Sequence, residues 1–413
     1  MLSEYFQSAN RIRAIRSGPA GELIEHFAAA LFQGGYAKVT GANHIRAAEH
    51  FARWATRRGI SVSTLDEEAL SQFARHLDRC HCGRYAGATR REVLGGARLF
   101  LRYSQGVVEP AIVERRVSPA DPALLREFCD WMREQRGTCD LTLDNYSIPI
   151  RDLIRGCGED PRKLDARALR QFVLGHSGGS RWTATRCTTA LRMFLRFLIA
   201  EGRCRAGLLG AIPVMAHWRL APLPRYLPPE DVERIIESCN ASTPTGKRDR
   251  AILLMLARLG LRAGDIVQMR FRDVDWKGAW IQVTGKSRRQ TRLPLSHEVG
   301  EALVEYLRDG RPRASTDAVF LRSRAPVRGL RGHSTVSVIV ASAMRRAGVA
   351  RPARGAAHLL RHSIASSMLR HGASLQDISA LLRHRSVETT AIYAKVDVQR
   401  LRQIAQPWPE AQP

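Results

Sequence analysis

The stretch WRLAPLPRYLPP at 218–229 constrains the fold of this 413-residue chain more than any other feature. It contains four prolines, and proline lacks an amide hydrogen and favours extended backbone. Such a stretch predicts an extended linker rather than one continuous core. A second proline-containing passage, ERRVSPADPA, lies at 114–123. We therefore predict four segments: a front helical domain at 1–113, a second helical domain at 119–216, a linker at 217–229 and a C-terminal domain at 230–413.

The two pieces before the linker resemble each other. LDEEALSQF at 65–73 and LDARALRQF at 164–172 share the pattern L-D-x-x-A-L-x-Q-F, and LFLRY at 99–103 corresponds to MFLRF at 193–197. Apolar residues recur three and four apart in both copies, which predicts bundles of amphipathic helices. The match favours a duplication, although two unrelated helical bundles can share such patterns. One predicted buried stripe in the second copy consists of Leu191, Phe194, Leu195 and Leu198.

The eight cysteines all precede residue 240, and no run of about 18 apolar residues or signal-like segment occurs, so we expect reduced thiols, a cytoplasmic location and no membrane contact. The first copy is five residues longer than the second between its two motifs, which predicts that Cys80 and Cys82 lie in a loop. With His76 and His81, these cysteines suggest zinc. Their spacing matches no common structural zinc pattern, and we expect no metal.

The charge predicts a polyanionic partner. Lys plus Arg number 65 against 39 Asp plus Glu, a formal net charge of +26. From Leu227 onward there are 31 basic and 17 acidic residues, and before it 34 and 22. This excess is more than an enzyme of small metabolites needs, and its spread over both halves favours DNA contact by both. A generally basic, arginine-rich proteome is the alternative explanation.

The C-terminal half has a mixed pattern. RDRAILLMLARLGLRAGDIVQM predicts a buried helix broken at Gly260, and RFRDVDW, AWIQVTG and TRLPL alternate as short strands do. Helical patterns return at 335–347, 358–371 and 375–382. The predicted fold class is therefore mainly α, with helical bundles in front and a small antiparallel β-sheet in the C-terminal domain.

Several polar residues of this half lie in otherwise apolar contexts. Arg262 follows the glycine break, Lys286 lies at the predicted hairpin tip, and His358 and Arg361 share one helix face three residues apart. They are followed by LLRHRSVETTAIYAKV at 381–396, which contains His384 and Tyr393. Each of these features is common by itself. In this order, over roughly residues 227–405, the set resembles the tyrosine recombinase (phage integrase) family.

The resemblance implies a DNA strand breaking and rejoining enzyme. Tyr393 would attack a DNA phosphodiester and form a covalent 3′-phosphotyrosine, while Arg262, Arg361 and His384 stabilise the charge on the non-bridging oxygens. The covalent bond keeps the phosphodiester energy, so no nucleotide cofactor is expected. A clustered Asp/Glu/His ligand set is absent from the sequence pattern, which disfavours a two-metal nuclease.

Three supporting roles follow from the same resemblance. His358 is the candidate proton acceptor of the tyrosine, Lys286 the candidate proton donor to the 5′ oxygen that leaves, and Asp265 the residue that orients Arg262. The leading interpretation is a site-specific recombinase of a mobile element, acting in integration, excision or transposition. A type IB topoisomerase and a catalytically silent DNA-binding regulator are the alternatives.

The expected partner is double-stranded DNA in the bacterial nucleoid. The segment 119–216 resembles the family's core-binding domain, and the segment 322–346 either reads bases in a major groove or contacts phosphates only. We expect a homo-oligomer, a dimer on one site and a tetramer in synapsis, or pairing with related recombinases. The tail from Lys395 onward would dock on a neighbouring protomer, or pack on its own domain. The candidate DNA-contacting arginines are Arg186, Arg192, Arg196, Arg322, Arg324, Arg328 and Arg331.

Overall fold

The computed structural model describes residues 1–80, 82, 89–106, 121–177, 181–214, 225–284, 290–352, 355–384 and 386–396. This part of the chain is mainly helical with one three-stranded antiparallel sheet, so the predicted fold class is confirmed. None of its helices is both long and apolar enough to cross a membrane. The chain forms two compact units, Met1–Val108 with Leu220–Pro413, and Glu109–Arg219. The division into three domains and a linker stays a prediction.

The front part of the first unit is a helical bundle around one apolar core. Its longest helix packs against the last one, and Ile45, Phe51 and Phe100 are fully buried in this core. The Asp66 carboxylate accepts the Ala69 amide hydrogen at 2.7 Å and so caps the fourth helix. The helices are α1 (Ala9–Arg16), α2 (Gly21–Gln33), α3 (Lys38–Arg57), α4 (Glu67–Leu77) and α5 (Arg90–Ser104).

The second unit contains α6 (Ala123–Arg136), α7 (Asp140–Cys157), α8 (Ala166–Ser177) and α9 (Arg181–Ala200). The predicted stripe of α9 is buried, as expected. Asp165 accepts the Ala168 amide hydrogen at 2.7 Å, the same contact that caps α4. The repeated motif therefore starts a helix in both copies. In each copy the helix before the motif helix packs on the helix after it, α3 on α5 and α7 on α9. This similarity is consistent with the predicted duplication.

The C-terminal part of the first unit packs six of its seven described helices and the sheet around a second core, and the last helix contributes Ile378 and Leu382 to a small separate core that includes Tyr393. The strands β1 (Val274–Asp275), β2 (Trp280–Thr284) and β3 (Gln290–Pro294) lie in the order β1-β2-β3, and Ile281 pairs with Leu293 across β2 and β3. The predicted strands and helices of this half are confirmed, with β1 shorter than predicted. The helices are α10 (Pro229–Glu237), α11 (Pro244–Arg258), α12 (Ala263–Gln268), α13 (His297–Glu305), α14 (His333–Arg346), α15 (Ala356–Arg370) and α16 (Leu375–Leu382).

Candidate active site

The break between α11 and α12 positions Arg262. Gly260 adopts a φ of 56°, and a Cβ atom at this position would lie 2.9 Å from Leu382 Cδ2, so a side chain there would be strained and crowded. The chain then turns, and Arg262 becomes the residue before the first turn of α12. Its amide hydrogen is donated to Asp265 Oδ2 at 2.9 Å, which fixes the start of the helix. The sequence pattern predicted the break but not the contact with Leu382.

Two guanidinium groups converge on the C-terminal end of α16. Arg262 Nη2 donates to the carbonyl oxygens of Leu382 at 3.3 Å and Arg383 at 3.0 Å. Arg361, from α15, donates to the same Leu382 oxygen and to the Gly260 oxygen. The last carbonyls of a helix lack intrahelical partners and carry partial negative charge, so they attract cations. The helix end thus holds both arginines side by side, although they are distant in sequence.

These arginines form a desolvated cationic site. Arg361 is 4% exposed. Burial, followed by the charges of Arg262 and Arg383, lowers the pKa of Arg361 to about 9, and burial also lowers the pKa of Arg262. A pKa of about 9 keeps Arg361 charged at neutral pH. Guanidinium groups that are held in place with little surrounding water bind an oxyanion strongly, since the site needs little reorganisation.

Arg383 adds a third guanidinium that the sequence interpretation did not include. It follows α16 in the left-handed backbone region, with a φ of 53°, where glycine is the usual residue. Its Nη2 atom lies 2.6 Å from Asp265 Oδ2, and both side chains are buried. Its Nε and Nη1 atoms are also buried and make no hydrogen bond within the described part of the chain. Asp265 therefore supports two arginines, through the main chain of one and the side chain of the other.

Thr390 links His384 to the segment that carries Tyr393. His384 Nδ1 lies 2.8 Å from the hydroxyl of Thr390, which is fully buried. The Thr390 carbonyl accepts the Tyr393 amide hydrogen at 3.0 Å. Thr390 thus connects the histidine to the short helical turn Ala391–Val396 that carries the tyrosine. Burial, with the charges of Arg361 and Arg262, lowers the pKa of His384 to about 4.

Tyr393 contacts a histidine other than the one predicted. Its hydroxyl lies 2.6 Å from Nδ1 of His362, on α15, whereas His358 is exposed one turn earlier, with a ring centroid 6.2 Å from that of His362. Burial lowers the pKa of His362 to about 4 and raises the pKa of Tyr393 to about 12. The tyrosine is 1% exposed. His362 is the last residue of HLLRH, so the signal was present in the motif itself.

The remaining predicted residues lie outside the described residues, in the second unit, or in the loop before α14. Lys286, His81 and the tail beyond Val396 lie outside the described residues. In the second unit, Arg192 donates to the Ile212 and Pro213 carbonyls at 3.4 and 3.1 Å, while Arg196 is exposed and Arg186 half-buried. The DNA-contact role of these residues stays a prediction.

The loop before α14 carries the other predicted DNA contacts. Arg324 and Arg331 are exposed. The Arg322 amide hydrogen is donated to the Arg328 carbonyl at 2.8 Å, which holds the two sides of the loop together. The Val327 amide hydrogen is donated to the Gly34 carbonyl at 3.0 Å, so the front bundle touches this loop through the turn after α2. A role of this loop in DNA contact stays a prediction as well.

Comparisons with known proteins find similar sequences and folds. Residues 225–400 match the model of the phage integrase family. The chain is 38% identical to "Putative integrase/recombinase y4rA" of Sinorhizobium fredii over 96% of each chain, and 30% identical to "Putative integrase/recombinase y4rF" of the same organism over 99% of this chain and 96% of the relative. A crystal structure of the XerH site-specific recombinase bound to its palindromic difH substrate, a post-cleavage complex, matches with a TM-score of 0.54 at 20% identity, covering 74% of this chain and 90% of that one.

Proposed function

Because the chain belongs to the phage integrase family of tyrosine recombinases, we propose that it cuts and rejoins double-stranded DNA through Tyr393. It is a DNA strand breaking and rejoining enzyme of the site-specific recombinase type. The observation that carries the assignment of residues is the contact of the Tyr393 hydroxyl with His362, beside three guanidinium groups and, within the described residues, the Asp265 carboxylate. A phosphodiester supplies the negative charge that this site lacks.

The first step is the attack of the Tyr393 oxygen on phosphorus. A tyrosyl O–P bond forms, the P–O5′ bond breaks, and the 3′ phosphate stays on the protein. Burial raises the pKa of Tyr393 to about 12, so the tyrosine is protonated before the attack. Its proton passes to His362 Nδ1, which lies 2.6 Å away, while the O–P bond forms, and the cations stabilise the charge that develops on the phosphate.

The other predicted residues complete the step. Arg262 and Arg361 fork onto the non-bridging oxygens, and His384 donates to them through Nε2 because Thr390 holds Nδ1. Lys286 gives a proton to the departing 5′ oxygen. Reversal with a 5′ hydroxyl from another strand restores the tyrosine and joins the DNA. Since the phosphotyrosine conserves the bond energy, neither a nucleotide cofactor nor an added metal is needed.

The C-terminal domain would act with the helical segments on a recombination site of nucleoid DNA, as a homo-oligomer. Integration, excision and transposition all exchange strands between two sites, so the paired complex is part of the proposal. A topoisomerase, in contrast, completes its cycle on one duplex. A gel-shift comparison of one-site and two-site DNA distinguishes these two activities, because only a recombinase requires the complex that pairs two sites.

The test is covalent capture. The full-length chain is incubated with a pool of nicked duplexes of randomised sequence and then treated with detergent. In these duplexes cleavage releases a short fragment with a 5′ hydroxyl, which diffuses away, so that the DNA stays attached to the protein. Wild-type protein should retain labelled DNA, and Tyr393→Phe should not. Tyr226→Phe, at an exposed tyrosine of the same region, is the matched control and should retain it. An adduct of wild-type yield with Tyr393→Phe would contradict the proposal.

A further inference from the structure

Four metal-ligating side chains meet in the front bundle, far in sequence from the tyrosine site. His50 comes from the middle of α3, His76 from the last turn of α4, and Cys80 and Cys82 from the connection between α4 and α5. One ligand atom of each lies within 4.8 Å of the ligand atoms of all the others. Cys80 Sγ and His50 Nε2 are 3.5 Å apart. Within the described residues this is the one cluster of His, Cys, Asp or Glu side chains that could hold a metal ion.

His50 is buried and the other three side chains of the cluster are half-buried, which suits a structural site at the edge of the bundle core. His50 is 4% exposed, and its ring packs edge-on against Phe73 with centroids 5.1 Å apart. The His76 ring lies 5.9 Å from Phe73 and 6.1 Å from Trp54. These aromatic rings shield one side of the cluster from water. An apolar wall of this kind strengthens metal–ligand bonds and limits exchange.

The donor set selects zinc. Two thiolates and two neutral imidazoles are the ligands of tetrahedral structural Zn²⁺, and two thiolates balance its charge. With Zn–S near 2.3 Å and Zn–N near 2.0–2.1 Å, the donor atoms of a tetrahedral site lie about 3.4–3.8 Å apart. The 3.5 Å between Cys80 Sγ and His50 Nε2 already matches this range. The other pairs of ligand atoms lie within 4.8 Å of one another, so each must approach by about 1 Å at most.

The second copy of the repeat provides an internal comparison. Phe73 and Phe100 are 27 residues apart, whereas the corresponding Phe172 and Phe194 are 22 apart. The longer connection of the first copy contains Cys80 and Cys82, whereas Cys187, the one cysteine between Phe172 and Phe194, lies within α9 and not in the connection. The extra length and the two thiols therefore occur together, as expected if the insertion exists to reach a metal.

We propose that His50, His76, Cys80 and Cys82 bind one structural Zn²⁺ ion. Four protein ligands leave no open coordination position, so the ion ties α3 to the α4–α5 connection and takes no part in DNA cleavage. The expectation of no metal, drawn from the sequence, is thereby revised. The local sequence pattern around Cys80 and Cys82 does not contain His50, because His50 precedes Cys80 by 30 residues. The site does not include His81, which lies outside the described residues.

The first test is the metal content of the full-length chain, expressed with zinc in the medium and purified without chelators. Mass spectrometry of the metal should find about one zinc per wild-type chain. The double substitution Cys80→Ser with Cys82→Ser should reduce this at least tenfold. Cys139→Ser removes an exposed thiol of the second unit and should leave the zinc content unchanged. Equal zinc in the double variant and the wild type would overturn the assignment.

A second test uses the wild-type chain alone and so does not depend on the folding of any variant. Cobalt added to the metal-free protein should give the thiolate-to-cobalt charge-transfer band and the intense visible bands of a tetrahedral S₂N₂ site. Zinc should then displace the cobalt and abolish these bands. Failure to produce a thiolate-to-cobalt band, or a Cys80–Cys82 disulfide in protein purified under reducing conditions with zinc, would overturn the proposal.

Discussion

The substitution Arg383→Gly tests the account, because it has two opposite effects on the free energy of unfolding, one through the backbone and one through the side chain. Its φ of 53° places an L-residue in the left-handed region, which costs about 1–2 kcal/mol and costs glycine nothing. Its side chain forms a buried ion pair with Asp265, and breaking such a pair costs about 3–5 kcal/mol. Asp265 keeps the Arg262 amide hydrogen, so we take the lower end of that range.

We therefore expect Arg383→Ala to lower the free energy of unfolding by about 3 kcal/mol and Arg383→Gly by about 2 kcal/mol. Cleavage should fall with both variants. Removing a donor that touches the reacting oxygens costs about 10²–10³-fold in rate. Arg383 is partly neutralised by Asp265, so we expect a loss of roughly 10–100-fold.

Urea unfolding of the full-length chain measures the first effect, and single-turnover formation of the covalent adduct measures the second. Arg308→Ala, at an exposed arginine that pairs with its neighbour Asp309, is the control and should change neither quantity. Equal unfolding midpoints for the glycine and alanine variants would refute the backbone argument. Wild-type cleavage by the glycine variant would refute the electrostatic one.

Three further predictions follow from the site. Arg262→Ala and Arg361→Ala should each slow single-turnover cleavage by about 10²–10³-fold, as expected for loss of an oxyanion donor, and a rate within tenfold of wild type would exclude direct phosphate contact. His362→Ala should slow adduct formation by about 10²-fold or more, whereas His358→Ala should slow it less than tenfold, and the reverse order would restore His358 as the proton acceptor. The pKa values of His362 and His384 are lowered to about 4, so the unfolded chain binds protons first as the pH falls below about 6.5. The free energy of unfolding should thus decrease as the pH falls from 6.5 to 4, and changing both histidines to Gln should make that decrease smaller in urea titrations, since His50, whose pKa is also lowered to about 4, still contributes.

Local signals made most of the fold predictable. The apolar run of the sequence predicts α11, and Gly260 predicts its end. The structure contains this helix, which ends at Arg258, and Gly260 lies in the turn after it. The motif aspartates Asp66 and Asp165 cap helices, which explains why the repeat was visible in the sequence. Such features depend on neighbours a few residues away, and a sequence pattern contains those neighbours.

Contacts across long sequence separations were not predictable. Arg262 donates to the Leu382 carbonyl oxygen, and Gly260 leaves room for the Leu382 side chain. The periodicity of apolar residues in the sequence does not encode this fit. His358 and His362 lie one turn apart on the same helix, and only the position of Tyr393 after two short turns decides which one it contacts. The sequence grouped His76 with Cys80 and Cys82 but not His50, because His50 belongs to a different helix.

The most direct test of the central claim is the location of the DNA on the protein. The captured adduct is digested with nuclease and trypsin, and the peptide that retains a nucleotide is fragmented by tandem mass spectrometry. The account predicts a 3′-linked nucleotide on Tyr393, within the tryptic peptide SVETTAIYAK at 386–395. A nucleotide on a serine or threonine of that peptide, or on any other peptide, would contradict it.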